Sequence, residues 1–167
     1  MKTHPKILLT ALALCLSLGL LAACSGTGEK AVKKAGTLET LDMSAVEKHF
    51  AANKGKTTFV VFWATWCPAC KTELPVLEQL RAKYPADKLD IMAVSVDDTA
   101  EAMSTFLKSR PTTLDVYLSK SDVSSEFGIK SIPALYILDK EGKVAFNSSG
   151  AYPFEMLDSV IEQLVKG

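Results

Sequence analysis

The sequence has few cysteines, few histidines and no excess of charge of either sign. Its 167 residues include four cysteines and two histidines, and 19 basic residues balance 19 acidic ones. Four cysteines are too few to hold a chain of this length together as a disulfide scaffold. The balanced charge gives no indication of a nucleic-acid partner. No glycine-rich phosphate loop is present, so we expect no organic cofactor.

The first 23 residues differ from the rest of the chain. Lys2 and Lys6 precede an uncharged apolar run at residues 7–23, which is the layout of a secretory signal. The run ends in Leu-Ala-Ala-Cys, which resembles the bacterial lipoprotein signal and implies cleavage before Cys24 and lipid attachment to it. The alternative is an uncleaved anchor, because ~17 apolar residues just span a bilayer.

Both alternatives place the remaining chain outside the cytoplasm on a tether, and lipidation, which we favour, predicts three parts. Residues 1–23 are the signal peptide, residues 24–36 are a small, polar lipidated tether and linker, and residues 37–167 are the folded domain. We expect this domain to lie at the periplasmic face of a membrane or at the outer surface of the cell membrane.

Strand and helix patterns alternate through the folded domain. We predict strands at residues 37–41, 57–64, 88–96, 114–118, 134–139 and 143–147, and helices at 43–53, 68–84, 99–109, 120–127 and 152–165. We expect Asp98 to cap the third helix. The last helix should face inward with Met156, Leu157, Val160, Ile161 and Leu164. This alternation predicts an α/β fold with a central mixed sheet and helices on both faces.

Two cysteines follow the second predicted strand, in the stretch FWATWCPACKTELP. Cys67 falls near the N-cap of the next helix, Pro68 at its first position and Cys70 one turn further in. A sulfur at the N-cap faces the unpaired N–H groups of Ala69 and Cys70 at the positive end of the helix dipole. This favours the thiolate, the form that attacks disulfides. We therefore predict an accessible nucleophile at Cys67 and a shielded resolving thiol at Cys70.

Two other uses of the pair are less well supported. A structural disulfide that closes so short a loop stabilises the fold little. A zinc site needs four ligands, and after signal cleavage His49 is the one histidine left. A copper site of two sulfurs and His49 is the remaining metal alternative. We favour a solvated helix position for His49 and expect no metal centre.

The segments FWATWCPAC, KTELP and SIPALYILD resemble the thioredoxin superfamily, and within it the TlpA/ResA-like group of membrane-tethered thiol–disulfide oxidoreductases. The resemblance covers about residues 38–166 and implies a thioredoxin-like fold. It also implies that Pro133, preceded by Ile132, is a cis proline that faces the cysteine pair. The backbone beside such a proline pairs with the substrate in the family.

The resemblance assigns further site residues. Glu73 matches the glutamate that the TlpA/ResA-like group carries after its cysteines, and a carboxylate there can take the proton of Cys70. The alternative for Glu73 is an ordinary residue of the first helical turns, favoured by the dipole. Val61 stands where short thioredoxins carry a buried aspartate. The proton-handling carboxylate of those proteins is therefore absent.

The expected substrate contacts are Trp66, which adjoins the nucleophile, together with Pro68, Ile132 and Pro133. The inner residues of the pair, Pro-Ala, depart from the common Gly-Pro. Because these residues tune the reduction potential, the departure leaves the direction of electron flow open.

The sequence thus predicts a protein thiol–disulfide oxidoreductase that reduces disulfides of partner proteins. The resemblance implies a membrane electron donor of the DsbD/CcdA type and substrates such as the thiols of apocytochrome c. One alternative is a disulfide-forming oxidant that uses the same pair, although an isoleucine at 132 resembles reductants. The other is a non-enzymatic copper or zinc carrier. We expect a monomer.

Overall fold

The computed structural model describes residues 38–96 and 99–167. The strands are β1 (Thr40–Leu41), β2 (Thr57–Trp63), β3 (Leu89–Ser95), β4 (Asp115–Ser119), β5 (Ala134–Leu138) and β6 (Val144–Ser149). The helices are α1 (Met43–Ala52), α2 (Pro68–Lys83), α3 (Ala100–Ser109), α4 (Ser121–Glu126) and α5 (Phe154–Lys166).

The strands form one mixed sheet in the order β1-β4-β3-β2-β5-β6. The first four strands in this order pair in parallel, whereas β5 pairs antiparallel with both β2 and β6. The crossovers between the parallel strands run through helices, as parallel pairing requires. The predicted mixed sheet is confirmed.

Strand β2 lies inside the sheet and carries the chain to the cysteine pair. All seven of its residues are buried, because β3 and β5 flank it and helices cover both faces. Successive side chains point to opposite faces. Phe59 and Val61 pack into one hydrophobic cluster, which we call the first cluster. Val60 and Phe62 pack into the other, the second cluster.

Helices cover the two faces of the sheet, as predicted. Buried side chains of α2, α3 and α5 join the first cluster: Leu74, Leu77, Leu80, Met103, Leu157 and Ile161. On the other face, Val46 of α1 and Val123 of α4 join the second cluster. The cysteine pair lies at the start of a helix that is fixed to the sheet by three fully buried or nearly buried leucines.

Two details differ from the prediction. The N-cap of α3 is Thr99, whose hydroxyl accepts a hydrogen bond from the amide of Ala102; the predicted cap Asp98 lies outside the described residues. Met156 is 37% exposed, so its inward orientation is wrong. In α5 it is Leu157 and Ile161 that are buried, one turn apart, and Met156 lies beside that stripe.

Within residues 38–96 and 99–167, no helix is long and apolar enough to cross a membrane. The predicted signal peptide, the tether and Cys24 lie outside the described residues.

Candidate active site

The site begins where β2 ends. After Trp63 the chain turns, and Cys67 takes the N-cap position of α2 with an extended backbone, as predicted. Its sulfur accepts a hydrogen bond from the amide of Cys70 at 3.2 Å. Pro68 occupies the first helical turn. A backbone N–H there has no intrahelical acceptor, so the N–H that proline lacks costs no hydrogen bond. Cys67 and Cys70 form a disulfide, with Cα atoms 5.3 Å apart.

The expectation of an accessible sulfur at Cys67 is wrong for this oxidised form. Cys67 is 4% exposed and Cys70 is fully buried. In the disulfide each sulfur covers the other. The sulfur of Cys67 also lies against the chain that precedes β5, 3.8 Å from the carbonyl oxygen of Ile132. Both cysteines therefore belong to the first hydrophobic cluster.

The Ile132–Pro133 peptide bond is cis, as the resemblance implies. Pro133 is buried, and Ile132 is partly buried next to the pair. Trp66 has 58% of its surface exposed, and Pro68 is also exposed. A cleft of about 390 Å³ runs beside Trp66, and Ile129, Lys130, Ser131 and Ile132 contribute to its lining.

Glu73 lies one helical turn after Cys70 and is only 1% exposed. Its Oε2 accepts a hydrogen bond from the amide of Tyr152 at 2.9 Å. Its Oε1 is buried and has no hydrogen-bond partner among the described residues. Burial raises the pKa of Glu73 above its ordinary value, and the bond from Tyr152 opposes that rise. A residue favoured only by the helix dipole would keep its carboxylate in water, and Glu73 does not.

Residues 150–153 touch the site from the far end of the chain, and no sequence motif indicates this contact. Besides the contact of Tyr152 with Glu73, the amide of Gly150 donates to the carbonyl oxygen of Pro133 at 2.8 Å. The one local signal is Gly150, whose φ of 110° suits glycine alone. The contact partners are distant in sequence, so no pattern within the segment predicts them.

His49 lies away from the cysteines. Its Nε2 is 2.6 Å from Oδ2 of Asp90. Asp90 pairs in register with Thr58, five residues before the end of β2 at Trp63, which is about 16 Å along the strand. The structure therefore does not bring His49 to the pair. Across the described ranges, no group of three or more metal-ligating side chains forms a metal site.

Comparison with known proteins agrees with this geometry. The family model described as thioredoxin-like matches residues 55–144, more than half of the chain. The thiol–disulfide oxidoreductase ResA of Bacillus thuringiensis subsp. konkukian is 28% identical over 133 residues, which cover 79% of this chain and 77% of the relative.

Two solved structures share the fold. A candidate thiol:disulfide interchange protein DsbE from Chlorobium tepidum superposes with a TM-score of 0.65 at 28% identity, covering 69% of this chain and 84% of that one. StoA from Bacillus subtilis superposes with a TM-score of 0.60 at 28% identity, covering 66% of this chain and 85% of that one.

The chain belongs to the thioredoxin-like family. Within it, the chain is a thiol–disulfide oxidoreductase of the ResA/StoA type, with its cysteine pair at disulfide distance at the start of α2.

Proposed function

We propose that the chain reduces disulfides of partner proteins outside the cytoplasm, with Cys67 as nucleophile and Cys70 as resolving thiol. Ile132 before the cis proline, a residue that resembles reductants of the family, supports the reducing direction. The observation that supports Cys67 as the nucleophile most directly is the hydrogen bond from the Cys70 amide to the Cys67 sulfur. A donor at the positive end of α2 stabilises negative charge on that sulfur once the disulfide is reduced.

The proposed reaction starts from the reduced pair. The Cys67 thiolate attacks a disulfide of the partner, forms a mixed disulfide and releases one partner sulfur as a thiolate. Glu73 then takes the proton of Cys70, and the Cys70 thiolate attacks the Cys67 sulfur. The Cys67–Cys70 bond forms and the second partner sulfur leaves. Two electrons have passed to the partner, whose two sulfurs take up protons to become thiols.

The exposed surface around the pair suits a protein substrate. Trp66 offers a large aromatic face, and Pro68 and the cleft beside Ile132 adjoin it. We propose that Trp66, Pro68, Ile132 and Pro133 contact the substrate chain. Because Cys67 is 4% exposed in the oxidised form, the disulfide is shielded from attack by unrelated thiols in solution. Productive exchange then depends on a partner that docks on this surface.

The tether and the electron supply complete the proposal. Lipid on Cys24 would hold the domain at the membrane, and a membrane protein of the DsbD/CcdA type would return electrons to Cys67–Cys70. The disulfide form of apocytochrome c, which the reaction converts to two thiols, is the proposed substrate. The N-terminal signal pattern and the family resemblance support these assignments. Metabolic labelling with a radioactive fatty acid should label wild type and not Cys24→Ala. Wild type without label would contradict lipidation, and label that persists in Cys24→Ala would place the lipid elsewhere.

Two measurements test the function. The reduced domain should reduce insulin disulfides, and the Cys67→Ser variant should not. Equilibration with glutathione buffers should give a reduction potential below the glutathione couple, with ~30 mV corresponding to a tenfold change in the two-electron equilibrium. A potential well above that couple would make the pair a disulfide-forming oxidant. Tight stoichiometric copper or zinc lost in His49→Ala would instead support a metal carrier, which the position of His49 disfavours.

A further inference from the structure

Residues 150–153, which we call the strap, join β6 to α5 and contact two parts of the site. At one end the amide of Gly150 donates to the Pro133 carbonyl at 2.8 Å. Two residues later the amide of Tyr152 donates to Glu73 Oε2 at 2.9 Å. One short segment thus touches both the cis-proline turn and the buried carboxylate.

The side chain of Tyr152 fixes the strap to β6. Its hydroxyl shares a hydrogen bond with the hydroxyl of Ser148. Its ring packs edge-on against Phe146, with ring centroids 6.0 Å apart and planes at 82°. These two contacts tie the side chain of Tyr152 to β6, while its amide bonds to Glu73. They leave its amide little freedom to turn away.

The strap makes the two oxygens of Glu73 unequal. Oε2 accepts the amide of Tyr152, whereas Oε1 is buried without a hydrogen-bond partner in the described part of the chain. An amide on a carboxylate favours the charged form, and burial favours the neutral one. Desolvation and this one amide account for the shifted pKa of Glu73, with no contribution from a charged side chain of the described residues. Two residues of the site that flank Glu73 carry titratable groups: Cys70, one turn earlier in α2, and Tyr152, whose amide bonds to it.

We propose that Tyr152 is a positioning residue for thiol–disulfide exchange: its amide occupies Oε2 of Glu73 and so directs the proton exchanged with Cys70 to Oε1. In that step the S–H bond of Cys70 breaks, an O–H bond forms at Oε1, and the electron pair stays on sulfur. That sulfur then attacks Cys67 and displaces the partner thiolate. The inference rests on the proposed role of Glu73 in resolution.

An amide-to-ester replacement at Tyr152 removes the donating N–H and keeps every side chain. The reduced protein is mixed with Ellman's reagent, which gives two releases of thionitrobenzoate: the first forms the Cys67 adduct, and the second reports its resolution by Cys70. The pH midpoint of the second release should rise by about one to two units in the ester variant, because a hydrogen bond to a charged group contributes about 1.5–3 kcal/mol. The matched control is the same replacement at Ala151, which is exposed and whose amide bonds to no described residue; it should leave the midpoint unchanged.

A Glu73→Gln background separates the two ideas. If the role of Glu73 is correct, Glu73→Gln removes the pH dependence of the rate of the second release, which we call the pH-dependent limb. The Tyr152 ester then adds no further change in this background. A limb that survives Glu73→Gln would overturn the role of Glu73. A limb lost in Glu73→Gln, but unmoved by the Tyr152 ester, would overturn the strap inference and leave the proposed function intact.

The side-chain anchor gives an independent readout. Tyr152→Phe removes the bond to Ser148 and keeps the ring on Phe146. We expect its midpoint to shift in the same direction as that of the ester, by a smaller amount, and Ser148→Ala to match it. Equal midpoints in wild type and both variants would show that this anchor does not position the amide.

Discussion

The amide of Cys70 donates a hydrogen bond to the sulfur of Cys67 across the first turn of α2. This contact exists because Cys67 takes the N-cap position that serine, threonine or aspartate fills in most helices. It gives the two cysteines different surroundings, since Cys70 lies inside the helix and has no such donor aimed at its own sulfur among the described contacts.

In the reduced protein, Cys67 should react as a thiolate at a lower pH than Cys70. Iodoacetamide labelling across a pH series, read by mass spectrometry of the digested protein, measures this for each cysteine. An unstructured peptide with the same Trp-Cys-Pro-Ala-Cys sequence is the control. Equal pH dependence of Cys67 in the protein and in the peptide would contradict the proposed activation by the helix.

The Cys70→Ser variant should retain a covalently bound partner. With the resolving thiol gone, the mixed disulfide on Cys67 has no internal route to release. Purification from the source cells under non-reducing conditions, followed by mass spectrometry, should identify that partner. The double variant Cys67→Ser/Cys70→Ser is the matched control and should carry nothing. The same partner bound to both variants would mean that the bond does not involve Cys67.

Replacement of Glu73 by glutamine should change how the stability of the oxidised domain depends on pH. Burial raises the folded-state pKa of Glu73 above its ordinary value of 4.5. At a pH between the unfolded and the folded pKa, the folded state therefore holds a proton that the unfolded state has released. The contribution of this proton is fully present below the unfolded pKa and is lost as pH rises through the folded pKa.

Denaturant unfolding at a series of pH values measures this effect. Wild type should lose stability relative to Glu73→Gln as pH rises above about 4.5. The exposed Glu155→Gln in the first turn of α5 is the control and should follow wild type through this window. Parallel curves for wild type and Glu73→Gln would show that burial does not perturb this carboxyl.

The two tryptophans should respond in opposite ways to alanine substitution. Trp63 is 1% exposed and packs against Phe106 with ring centroids 5.3 Å apart, so Trp63→Ala should cost about 3–5 kcal/mol of stability. Trp66 is 58% exposed, so Trp66→Ala should change stability by no more than about 0.5 kcal/mol.

For catalysis we expect the larger specific effect from the substitution of Trp66. Trp66→Ala should lower kcat/KM for insulin about tenfold, which corresponds to ~1.4 kcal/mol of lost substrate contact. It should change the rate with a small aromatic disulfide much less. A loss of the same size with both substrates would place the effect on the cysteine pair rather than on docking.

Local sequence patterns were sufficient for most of the scaffold. The run at residues 59–64 is uniformly apolar because β2 is covered on both faces. The leucines of α2 recur at helical spacing because one side of that helix meets the sheet. The N-cap position of Cys67 also follows from local chemistry, since Pro68 marks the first turn. In these places the local pattern and the tertiary fold demand the same structure.

Where tertiary contacts decide, the sequence was insufficient. The burial of Cys67 depends on the chain before Pro133, and the burial of Glu73 depends on Tyr152, 79 positions away. Glu73 looks like an ordinary charged residue of a helical turn until the strap covers it. Met156 sits at the edge of the apolar stripe of α5, where the period of the pattern does not separate a buried position from an exposed one.

Strand β2, bonded along both edges and buried throughout, belongs to the part of a domain that opens only on global unfolding. Its backbone amides should therefore be among the last to exchange with deuterium. Cys67 and Cys70 follow the end of this strand, at the start of α2. Thiol–disulfide exchange at the start of α2 can then proceed while the amides of β2 stay protected from hydrogen exchange. Oxidised and reduced protein should therefore show the same slow exchange along β2.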